Sequence, residues 1–131
     1  MGLDISVGGY GFRAGSYSGF AEFRAVLAKH ALNIELDSME GFGKNGVNSW
    51  DTIKSGLKIL LDHSDCDGEI YPNQAKELLS ALNYYRMDKR GTRGTKAMKS
   101  SADNEWYWAK INDWIIACKE SVGTGLPIVF G

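Results

Sequence analysis

The chain has 131 residues, 44% of them hydrophobic and 24% charged, with a formal charge of −1. That length suits one domain built around a single core, and the composition excludes a disordered or fibrous chain. The near-zero charge gives no reason to expect a polyanionic partner, and no apolar run reaches membrane-spanning length.

The predicted elements begin with a strand, because Leu3, Ile5 and Val7 alternate with Asp4 and Ser6. Gly8-Gly9 ends it, and the glycine- and aromatic-rich stretch Tyr10–Ser18 reads as a loop. A helix follows, capped by Ser16 or Ser18, with Phe20, Phe23, Val26, Leu27 and Leu32 at helical spacing. Ile34-Glu35-Leu36 predicts a brief extended piece, and the glycines at 41, 43 and 46 predict a loop. Ser49 is placed to cap a second helix, whose apolar face is Trp50, Ile53, Leu57, Leu60 and Leu61.

Directly after that face comes His63-Ser64-Asp65-Cys66-Asp67-Gly68-Glu69-Ile70. Alternating carboxylates before a glycine and a β-branched residue are most of a calcium loop, since calcium wants closely spaced oxygens and the glycine permits a sharp turn. On the twelve-residue EF-hand template Asp65 and Asp67 take the third and fifth positions, Gly68 the sixth and Glu69 the seventh, where a backbone carbonyl binds. The two anchoring positions depart from the template. His63 stands at the first and Gln74 at the twelfth, where a bidentate Glu belongs. The candidate ligands are therefore Asp65, Asp67, Glu69, Gln74 and His63, with Asp62 one residue away. A site so short of charge would hold calcium weakly, at roughly 10⁻⁴ M or poorer. Without the ion, the same carboxylates would accept hydrogen bonds from loop amides. EF-hand loops pair through the eighth residue, here Ile70, which calls for another strand or a second copy of the chain. A zinc reading of His63 and Cys66 with Cys118 or His30 has only two ligands close in sequence.

Pro72 then sits at the first position of a helix carrying Ala75, Leu78, Leu79, Leu82 and Tyr85. Residues 49–86 thus read as a helix, an acidic loop and a helix. The next segment, about 88–103, reads as a mobile exposed loop. From Arg86 to Lys99 there are six basic residues and one acid. Arg90, Arg93 and Lys96 are candidate contacts for an acidic protein partner, and nucleic acid is the less favoured alternative, with Trp106 or Trp108 left to stack on bases. Asp103 can cap a last helix bearing Trp106, Tyr107, Ile111, Trp114, Ile115, Cys118 and Val122. Leu126–Phe130 suits a final strand beside the first.

The opening Met1-Gly2-Leu3-Asp4-Ile5, the run Leu60–Glu69 and the ending Leu126-Pro127-Ile128-Val129-Phe130 together resemble a family of small bacterial and prophage proteins. The resemblance implies a cytoplasmic bacterial or phage setting and binding to a host protein, and it transfers no activity. The expected molecule is a single α+β domain over residues 1–131, with about four helices and a small sheet joining its terminal strands. It is read as a non-enzymatic interaction protein, with a weak calcium-binding regulator as the alternative and a metal-dependent enzyme behind both. No nucleophile motif or phosphate-binding loop supports the last of these.

Overall fold

The computed structural model describes residues 2–40, 46, 48–63, 68–90 and 105–131, without the side chains of Tyr17, Lys89 and Arg90. Strand β1 (Gly2–Val7) buries Leu3, Ile5 and Val7 and exposes Asp4 and Ser6, as its alternation requires. Gly8, at φ +56°, and Gly9 turn the chain back. Strand β2 (Tyr10–Ser16) then pairs antiparallel with β1, from Val7↔Tyr10 to Gly2↔Ser16. The loop expected over Tyr10–Ser18 is therefore a strand. Its aromatics are the reason: Phe12 sets its ring edge-on to Trp114 with centroids 5.2 Å apart, so this glycine-rich segment is held to the core by side-chain packing. The register shifts where Leu3–Asp4 faces Arg13 and Gly15, and Gly15 takes φ +123° at this irregularity.

Helix α1 (Tyr17–Leu32) is capped by Ser16, whose hydroxyl accepts the Gly19 amide at 3.0 Å. Beyond Asn33 the extended piece expected at Ile34–Leu36 gives way to a 3-10 turn at Leu36–Ser38. The single long helix expected from Trp50 to Leu61 is also shorter than its periodicity suggested. Trp50–Thr52 is a 3-10 turn, and α2 (Lys58–Leu61) has four residues. The apolar positions Trp50, Leu57, Leu60 and Leu61 are buried as the spacing required. Between them the chain bends so that Gly56 lies against α3 (Pro72–Tyr85), where a Cβ would come within 2.6 Å of the Glu77 carbonyl oxygen. No side chain fits that approach.

Strand β3 (Glu69–Ile70) precedes α3, and a π-helical turn, Arg86–Arg90, prolongs α3 into the start of the basic run. Helix α4 (Glu105–Thr124) and strand β4 (Ile128–Phe130) complete the described elements. The sheet order is β2-β1-β4-β3, antiparallel throughout. The protein is an α+β fold whose terminal strands lie side by side, with Ile5 opposite Phe130. One face of the sheet is covered by helices: Leu3, Ile5, Val7, Ile70, Ile128 and Phe130 point into a core with Phe20, Phe23, Leu27, Tyr107, Ile111 and Trp114. The other face carries Asp4, Ser6, Arg13, Glu69 and Val129 and stays exposed.

Candidate functional site

The acidic loop is built onto the edge of this sheet. Glu69 pairs with Val129 and Ile70 with Ile128, so the partner that the eighth loop residue called for is β4 of the same chain. The Phe130 amide donates to the Gly68 carbonyl at 3.0 Å. Gly68 has φ +100°, the turn that the loop pattern demanded of a glycine.

His63 closes the loop from its other end. Its imidazole stacks on Phe130 with centroids 3.9 Å apart and planes 21° from parallel. Its Nε2 lies 3.1 Å from the Glu69 carbonyl oxygen, and since a carbonyl only accepts, the ring nitrogen carries the proton. In the EF-hand reading His63 and this carbonyl are the first and seventh ligands, joined through the ion. Here one donates directly to the other. Gln74 is likewise engaged, its Oε1 accepting the Tyr71 amide at 3.0 Å as the third-position residue of a helix cap does. The Glu69 carboxylate accepts the Tyr71 hydroxyl at 3.1 Å and lies exposed. Each of the three is thus engaged by a partner within the chain. Asp65 and Asp67 lie outside the described residues, as does Cys66. Among the described residues no three His, Cys, Asp or Glu side chains gather as a metal site requires. Asp62, the neighbouring substitute, has its carboxyl raised above the usual range by burial and then by the charge of Glu40.

One residue that holds this region had no signal in the sequence pattern. Arg24 on α1 is 4% exposed, and its Nη1 donates to the carbonyls of Leu60 at 3.5 Å and Leu61 at 3.2 Å, and to that of His63. The last carbonyls of a helix have no partner within it, and a cation is favoured there. Its guanidinium carbon also lies 4.7 Å from the Phe20 ring centroid. Arg24 thus fixes the chain end that delivers His63 to the loop.

No family model, no curated protein and no solved structure matches this chain. What the molecule can do must be read from its own surface and interior.

The interior holds a hydrogen-bonded row in which His30 Nδ1 lies 2.7 Å from the Tyr85 hydroxyl, itself 2.7 Å from the Tyr107 hydroxyl. The row ties α1, α3 and α4 together. Cys118 is buried on α4. Burial pushes its thiol from 9.0 up to about 12 and holds the phenols of Tyr85 and Tyr107 above their ordinary 10.0. Each of these groups is neutral when protonated. Above pH 9 the unfolded chain releases protons that the folded chain keeps, so stability falls as pH climbs from about 9 towards 12. Thermal melts at stepped pH are expected to show that decline. A midpoint constant up to about pH 11 would contradict the assigned burial.

On the outer surface, Tyr84 and Met87 are 71% and 73% exposed and lie three residues apart along α3 and its π-helical extension. Beside Tyr84 runs an open groove of about 760 Å3, lined by Lys54, Ser55 and Gly56 on one side and Lys76, Glu77, Ser80, Ala81 and Tyr84 on the other. Trp106 is 44% exposed, whereas Trp108 is 7% exposed and packs on Tyr85. Of the candidate partner contacts, Arg90 closes the π-helical turn with its side chain outside the described residues, and Arg93 and Lys96 lie outside them altogether. The expected loop over 88–103 is therefore helical as far as Arg90. Among the described residues no helix is long and apolar enough to cross a membrane.

Proposed function

We propose that this chain is a small non-enzymatic interaction protein, and that its acidic loop serves the scaffold as a closed structural element. The observation that supports this most is the outer side of α3, where Tyr84 and Met87 project beside a preformed groove. Large apolar side chains held exposed next to a concave surface are what recognition uses, because aromatic anchors contribute most of the free energy of protein contacts. The loop offers less: His63, Glu69 and Gln74 are spent on contacts within the chain. A bacterial or phage setting, as the resemblance implies, suits a partner on a host protein.

The test is photo-crosslinking from a benzoylphenylalanine placed at position 84, with one at Asp4 on the open sheet face as control. A partner captured at 84 and absent at 4 is the expected result; equal capture at both positions removes α3 from the interface. In the same format, charge reversal of Arg90, Arg93 and Lys96 asks whether the basic run contributes. Unchanged capture would exclude it.

The weak calcium regulator stays the second reading, because Gly68 and the Ile70 pairing retain the EF-hand turn. Calorimetric titration is expected to give no heat and no shift in unfolding midpoint at roughly millimolar calcium. Saturable heat would reinstate the ion.

A further inference from the structure

The groove beside Tyr84 has a chemistry that narrows its occupant. Its near wall is locked in place, since Gly56 sits where even a methyl group would meet the Glu77 carbonyl at 2.6 Å and the Ala81 methyl at 3.4 Å. A wall seated on helix backbone gives a groove that exists before any ligand arrives, which spares the ordering that weakens most peptide binding. Lys54 on that wall and Lys76 on the opposite one are both exposed, and neither forms an ion pair among the described residues. Glu77 is the single acid in the lining, so the groove carries an excess of positive charge. Ser55 accepts the Leu57 amide at 3.1 Å, and its O–H points no donor at that bond, remaining able to donate. Further along, Ala81, Tyr84 and then Met87 give an apolar end.

We infer that this groove takes an extended acidic segment of a partner protein, with carboxylates on Lys54 and Lys76 and an aromatic or aliphatic side chain against Tyr84 and Met87. The inference rests on the interaction reading above and names the partner's chemistry. The stripe from Lys76 to Met87 runs along eleven helical steps, about 16 Å at 1.5 Å per residue, which matches about five extended residues. Isolated surface lysines steer and discriminate more than they tighten, so recognition should depend strongly on salt and on the sign of the ligand's charge.

The experiment uses the full chain and three fluorescein-labelled hexapeptides, each ending in Leu-Phe and preceded by four acidic, four neutral amide or four basic residues. Fluorescence anisotropy is expected to show saturable binding of the acidic peptide alone, weakened by added salt. The double variant K54E/K76E should lose about tenfold or more in affinity because charge reversal repels the acidic ligand, and Tyr84→Ala at least as large a factor in a salt-independent way. Both variants change exposed side chains, and an unaltered thermal midpoint confirms that they fold. Acidic-peptide binding unchanged in K54E/K76E, or equal binding of all three peptides, overturns the inference. So does the absence of binding up to about 1 mM peptide, the weak limit of specific recognition. If a partner is still crosslinked at position 84 in that case, the interaction reading stands and only the acidic occupant falls; if neither result appears, both fall.

Discussion

Replacing Arg24 with Met is expected to remove about 3–5 kcal/mol of stability, the largest effect of any single substitution considered, because it withdraws a buried cation from three carbonyls at once. The carbonyls of Leu61 and His63 lose a donor and carry the desolvation cost, whereas that of Leu60 keeps the His63 amide at 3.4 Å, and methionine supplies the volume but no hydrogen. The stacking of the guanidinium on Phe20 is lost with it. Against a total stability of about 5–15 kcal/mol for an ordinary domain, the variant should sit near the edge of folding. Arg24→Lys should recover part of the loss, since all three carbonyls lie on one nitrogen, Nη1, and an ammonium carries three hydrogens but lacks the planar face that lies over Phe20. Urea titration of both variants is the measurement. A Met variant within about 0.5 kcal/mol of the parent, the range of ordinary surface changes, would show that the carbonyls find water instead.

The second effect is expected at His63. His63→Ala should cost about 2 kcal/mol, combining about 1 kcal/mol for the hydrogen bond to Glu69 with about 1 kcal/mol for the stack on Phe130. His63→Phe separates the two contributions, because it can stack but cannot donate, and should recover about half of the loss. His63→Asp is the informative third variant. It removes the imidazole and restores the carboxylate that an EF-hand places first, so calcium should raise its unfolding midpoint if the imidazole stands in the place of the ion. If millimolar calcium leaves the Asp variant as unstable as the Ala variant, the loop shares the EF-hand's turn without its capacity.

The sequence made the periodic elements legible. β1, α1, α3, α4 and β4 all follow from apolar spacing, and the structure uses the Ser16 cap of α1 and Pro72 at the start of α3 as end signals, while the Asp103 expected to cap α4 lies outside the described residues. β2 was illegible because Gly11 and Gly15 have little strand preference, and its place is decided by pairing with β1 and by Phe12 on Trp114. The Gly8-Gly9 pair that turns the hairpin was nevertheless visible. The spacing from Trp50 to Leu61 reported burial correctly and geometry incorrectly, since a bend at Gly56 serves the same apolar residues as a helix would.

The loop was legible as a pattern of residue types but not as a set of contacts. His63 and Gln74 looked like poor ligands by comparison with a template, when one is the donor that closes the loop and the other caps α3. Arg24 gave no signal because an arginine between Phe23 and the next apolar positions reads as the wet side of a helix. Its acceptors lie 36 to 39 residues further along the chain, a distance at which local patterning is silent. The groove was equally hidden: Lys54 and Lys76 are 22 residues apart and meet only because Gly56 brings the bend onto α3.

The strand order β2-β1-β4-β3 also governs how this protein can be made. Its middle seam joins Ile5 to Phe130, so the first hairpin leaves the ribosome long before the strand that will complete its open side. Until β4 emerges, β1 offers an unpaired edge and β3 has nothing to lie against, which exposes the nascent chain to mispairing. Closure of so distant a contact is entropically slow, and the arrival of β4 should therefore act as the trigger that commits the whole sheet. A chain lacking Ile128–Phe130 would lose both seams with one cut, together with the aromatic surface on which His63 rests.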